Sequence, residues 1–91
     1  MDNKDAKIEA LFNLILQLDN FEDCKALFDD LCTRKEIEKM AERIFAAGLL
    51  LEGKTYNQVM EQADISSATL SRVSRCVQYG SGYSKILKKK K

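Results

Sequence analysis

The stretch "QVMEQADISSATLSRVSR" (Gln58–Arg75) changes the phase of its apolar residues at "DIS", with neither proline nor glycine at the join. Val59 and Ala63 lie one helical turn apart, Ile65 falls in the join, and Leu70 and Val73 are spaced i, i+3. Together they form an apolar wedge able to hold two short helices at a steep angle, the proportions of a helix-turn-helix over residues 55–79. Asp64 stands where many such motifs carry glycine. Asp is one of the few other residues that tolerate a left-handed backbone, and that conformation is expected here.

With the wedge facing inward, the second helix presents Ser66, Ser67, Ala68, Ser71, Arg72 and Arg75 outward. Small residues in its first turn permit close approach, hydroxyls bond phosphates or base edges, and a helix amino terminus favours an anion. Arginine matches guanine O6 and N7 in bidentate fashion. Ser67, Ala68, Ser71 and Arg72 are therefore the expected contacts to base edges. Ser66, Thr69, Arg75, Tyr56, Asn57, Lys88 and Lys89 are the expected phosphate contacts, with the lysine tail 88–91 continuing them. Singly, each of these residues fits an ordinary solvated face; the shared register and the local charge favour double-stranded DNA as the partner.

That charge is one-sided. The chain carries a net +1, but residues 1–32 sum to −5 and residues 33–91 to +6. From Ile65 onward there are seven bases and no acid. Such a basic field suits a polyanion. The acids Asp19, Glu22, Asp23, Asp29 and Asp30 leave a second reading open, a protein-interaction module that keeps the fold without specific DNA binding. An enzyme is not expected: there is no histidine, no phosphate-cradling glycine loop and no patterned carboxylate pair.

Outside the central stretch the periodicity is helical throughout, giving an all-α chain of six helices. Ile8, Leu11, Phe12, Ile15 and Leu18 mark a first helix over about 4–18, more apolar than one small domain usually covers. Phe21, Cys24, Leu27, Phe28 and Leu31 mark a second over 21–31. "TRKE" (Thr33–Glu36) is a capping box opening a long helix over 34–52, with Gly53 as its left-handed terminator. Gly48 inside that helix costs up to about 1 kcal/mol relative to Ala and is tolerable if another backbone approaches closely there. "TYNQ" (Thr55–Gln58) caps a helix over 56–63, Ser66 caps one over 67–79, and "YSKIL" allows a last turn over 83–87.

At 91 residues, 45% apolar and 32% charged with no proline, the chain has the make-up of one small helical domain with a thin core. No run approaches the roughly 18 apolar residues that cross a bilayer, and "MDNKDAK" is not a signal peptide, so no membrane and a cytoplasmic location are expected. Cys24, Cys32 and Cys76 form no CxxC pair and are expected as small buried hydrophobes, with no metal and no cofactor.

The run "LCTRKEIEKMAERIFAAGLLLEGKTYNQVMEQADISSATLSRVSRCVQYGSGYSKIL" (Leu31–Leu87) resembles the Trp repressor superfamily, and within it the YerC/YecD branch, the likeness extending over residues 8–87. The resemblance implies a homodimer interlaced through helices 1–3, with two helix-turn-helix units entering successive major grooves as a repressor. In the Trp repressor, L-tryptophan wedges between the core and the recognition helix, held by two arginines that match Arg43 and Arg72 here. These two residues are thus a possible effector pocket. The repressor has glycine where this chain has Val73, whose side chain takes the space of the indole, and the stretch Tyr56–Leu70 is slightly shorter than its counterpart. L-tryptophan is therefore not the expected ligand, and the effector stays unknown.

Overall fold

The structure, a computed structural model, describes residues 3–88. It contains six helices and no strand among the described residues: α1 (Asn3–Leu16), α2 (Phe21–Leu31), α3 (Arg34–Leu51), α4 (Tyr56–Gln62), α5 (Ser67–Tyr79) and α6 (Gly82–Lys88). They fall into two compact units, Met1–Arg34 and Lys35–Lys91.

In the first unit, α1 ends two residues before its apolar period does. Gln17 and Leu18 donate to the Leu14 and Ile15 carbonyls at 3.1 Å, an i to i−3 pattern that tightens and closes the last turn. Asn20 then caps α2, its Oδ1 accepting from the Asp23 amide at 2.8 Å while its Nδ2 donates to Asp19 and Asp23 at 3.0 Å. Neither helix contains a buried residue. Phe12 is 59% exposed, Leu16 79% and Phe21 75%, so the apolar stripes of both helices remain open.

The second unit holds the core. Ala46 and Leu49 of α3, Val59 of α4, Ala63 at the end of α4 and Leu70 of α5 are buried together, with Leu50 and Ile65 packed against them. Burying Val59 and Leu70 completely stabilises the unit by about 1.5–3 kcal/mol each. These are the wedge residues of the phase change, joined by side chains from the long helix.

Gly53 ends the α3 segment at φ +95°, in the left-handed region. Its amide bonds the Leu50 carbonyl at 3.0 Å and the Lys54 amide bonds that of Leu49 at 3.1 Å, a Schellman pair. Thr55 and Gln58 form both halves of the expected capping box on α4. Gly80 closes α5, its amide 2.8 Å from the Cys76 carbonyl, with no room for a side chain.

Two expectations fail, at Asp64 and at the cysteines. Asp64 is not left-handed: among the described residues no non-glycine has a positive φ. The two ends of the join are extended, Ala63 at φ −109°, ψ 141° and Ser66 at φ −73°, ψ 157°. Gly48 meets no close backbone, since a Cβ placed there has nothing within 4 Å in this chain. It lies on the same open face of α3 as Ile44 and Phe45, 51% and 48% exposed. Nor are the cysteines buried. Cys24 and Cys32 are half-buried and Cys76 is exposed, the last because it borders two open concavities beside α5.

Candidate nucleic-acid interface

The join between α4 and α5 puts the buried and presented residues of α5 on opposite sides. Leu70 and Val73 are buried, Thr69, Ser74 and Val77 half-buried, while Ser67, Ala68, Ser71, Arg72 and Arg75 are exposed. The exposed five sit at i, i+1, i+4, i+5 and i+8, one continuous helical stripe. Neither guanidinium pairs with a carboxylate among the described residues, which leaves the donors of Arg72 and Arg75 directed at solvent. A surface of small residues, hydroxyls and unpaired guanidinium groups is chemically suited to accept phosphate oxygens and guanine edges.

Ser66 and Thr69 are more constrained. The Ser66 Oγ accepts from the Thr69 amide at 3.1 Å and donates to the Thr69 Oγ1 at 3.0 Å. Both hydroxyls are thus engaged in the cap, leaving the Thr69 O–H as the free donor of the pair. Tyr56 and Asn57 open α4 and are exposed, and Lys88 is exposed at the end of α6. Lys89 to Lys91 lie outside the described residues.

Arg43 and Arg72 come together at the wall of one cavity of about 310 Å³, which Thr69, Val73, Cys76 and Tyr83 complete. Val73 is 2% exposed, so its isopropyl group belongs to the packing at the cavity's base. Tyr83 was not evident from the sequence pattern; it reaches this wall because α6 folds back, where the Ser84 hydroxyl donates to the Val77 carbonyl at 2.8 Å. Lys39 was also missed. It lines a cleft of about 220 Å³ with Ser66 and Thr69, a position that only tertiary folding reveals.

Part of the acidic cluster on α2 has local employment. Asp23 bonds the Asn20 cap, and Asp29 pairs with Lys25 at 2.8 Å. Among the described residues no group of three or more His, Cys, Asp or Glu side chains is placed to hold a metal, and no helix is long and apolar enough to cross a membrane.

The family described as Trp repressor protein matches residues 6–91 of this sequence. The chain belongs to the Trp repressor family, in its YerC branch. It is 46% identical to the Bacillus subtilis (strain 168) protein named "Uncharacterized protein YerC" over 74 residues, 81% of this chain and 71% of that one. A Staphylococcus aureus crystal structure, described as a candidate Trp repressor, superposes with a TM-score of 0.87 at 40% identity, covering 92% of this chain and 85% of the other. A TrpR-like protein from Eubacterium eligens ATCC 27750 also gives 0.87, at 35% identity, covering 92% and 88%. The Trp repressor family is one of DNA-binding transcription regulators and not of enzymes.

Proposed function

We propose that this chain is a sequence-specific DNA-binding repressor that acts as a homodimer, inserting α5 of each copy into the major groove. The observation that carries the reading is the exposed stripe of α5, with two unpaired guanidinium groups above a fully buried register. Ser67, Ala68, Ser71 and Arg72 read base edges. Ser66, Thr69, Arg75, Tyr56, Asn57 and Lys88 hold phosphates, as does Lys89 with the rest of the tail.

Dimerisation is supported by what the chain leaves uncovered. α1 and α2 expose Ile8, Phe12, Leu16 and Phe21, and α3 exposes Ile44 and Phe45 around Gly48. Apolar stripes of this size call for a partner surface. A second copy supplies one, and it makes the two units parts of a single domain completed by exchange. The half-sites then lie about one helical turn apart.

Arg43 and Arg72 suit an anionic group of an effector in the cavity they share. Val73 removes the room for an indole, so L-tryptophan is not its ligand and no cofactor is required.

Selection of duplexes from a random pool by the full-length protein tests this function. Recovery of a near-palindromic site bound with steep salt dependence supports it. Absence of any salt-sensitive association with DNA refutes it and favours an interaction module acting through the acidic face.

A further inference from the structure

We infer that Glu42 is a positioning residue for the reading of DNA by α5, an inference that rests on the function proposed above. Its Oε1 accepts from the Asp64 backbone amide at 3.0 Å, linking the long helix α3 to the join between α4 and α5, residues 22 apart. This bond stands where the sequence pattern calls for a left-handed residue. The join has none, and its two ends, Ala63 and Ser66, are extended. A tight left-handed turn fixes the angle between two helices through its own backbone. Without such a turn the angle rests on tertiary contacts: the buried wedge holds the join from the core side, and the Glu42 bond adds a polar anchor to its backbone.

The fixture is well anchored. Glu42 is half-buried, and Ala46, one turn further along α3, is fully buried in the core beside Leu70. A carboxylate accepting from an amide also makes a stronger bond than a neutral acceptor does. Negative charge here suits the positive end of α5 but opposes an approaching phosphate. Glu42 lines the same cleft as Lys39, Ser66 and Thr69, at the amino end of α5 where a phosphate would approach. A residue serving phosphate attraction alone would be basic or neutral there; the bond to the Asp64 amide and the positive end of α5 are what recommend a carboxylate.

The leverage is large. Arg72 lies six residues beyond Ser66, roughly 9 Å along the axis at 1.5 Å per residue. A tilt of about 10° at the join displaces it by roughly 1.5 Å, several times the range within which a base-edge hydrogen bond holds its length.

The test compares wild type, Glu42→Ala and Glu42→Gln, using a duplex selected from the random pool and the same duplex with one central base changed. Glu42→Ala is expected to keep its helical signal while its Asp64 amide exchanges about tenfold faster, affinity for the selected duplex falls about tenfold and discrimination shrinks. Glu42→Gln retains an acceptor oxygen and should restore Asp64 protection and discrimination alike, with equal or tighter binding because a repulsive charge is gone. Should Glu42→Ala fail to fold, Glu42→Gln decides by the same two readouts. Glu42→Gln behaving like Glu42→Ala, or Asp64 exchange and discrimination unchanged in Glu42→Ala, overturns the inference. If the wild type binds no duplex, the DNA reading fails and the purpose assigned to Glu42 fails with it. Asp64 exchange still reports separately whether the anchor exists.

Discussion

Arg72 sits in the second turn of α5, exposed and without a carboxylate partner among the described residues, while Leu70 and Val73 beside it are buried. Its neighbours therefore hold the helix while it remains free to bond. Leu70→Ala is expected to destabilise the second unit by about 2–5 kcal/mol in denaturant unfolding, because its site is fully enclosed. Val73 fills the base of the cavity between Arg43 and Arg72, and L-tryptophan at millimolar concentration should leave both the heat of titration and the affinity for DNA unchanged. At this scale the sequence was informative wherever a residue's role depends on near neighbours. The wedge of Val59, Ala63, Ile65, Leu70 and Val73 could be read from spacing because burial on a helix has a period. Glu42, Lys39 and Tyr83 could not, since their neighbours belong to other elements and no local pattern marks them. Asp64 misled for a related reason: tolerance of a left-handed backbone is a permission, and the join is held by tertiary contacts, the hydrogen bond to Glu42 among them.

The ends of the elements follow local chemistry closely. Thr55 with Gln58, Ser66 with Thr69, and Gly53 after Leu51 each satisfy backbone groups that the helices leave open. Gly53 requires a residue without Cβ at φ +95°, so Gly53→Ala should cost about 1–2 kcal/mol in thermal or denaturant unfolding. Thr55→Ala, which breaks the capping box of a helix only seven residues long, should cost about 1 kcal/mol. Its effect on DNA binding should be smaller than that of Arg72→Ala, because α4 supports α5 and makes fewer contacts. The premature end of α1 shows where periodicity runs out. Leu18 continues the apolar stripe, yet the backbone has already tightened through i to i−3 bonds.

Across the whole molecule, the two units divide the charge as well as the burial. The acidic residues 1–32 belong to the unit in which no described residue is buried, and the basic residues follow the core and α5. If a second copy covers the open stripes, Phe12→Glu and Phe45→Glu should each shift sedimentation from a dimer to a monomer and abolish tight DNA binding. A wild-type monomer at micromolar concentration contradicts the exchange of helices. Removal of Lys88 to Lys91 should flatten the dependence of log affinity on log salt by up to about 0.9 per lysine in phosphate contact, with base preference intact. The surplus of apolar residues in α1 was legible as a need for cover. What does the covering was not, because a single chain's periodicity carries no record of its partner.

The most direct measurement is a titration at fixed salt of wild type and Arg72→Ala against a duplex selected from a random pool and against its single-base variants. Reading by the exposed stripe of α5 predicts that Arg72→Ala loses about 1–3 kcal/mol on the selected duplex and becomes indifferent to one base pair in each half-site, with the others still discriminated. Unchanged affinity and unchanged preference at every position would contradict it.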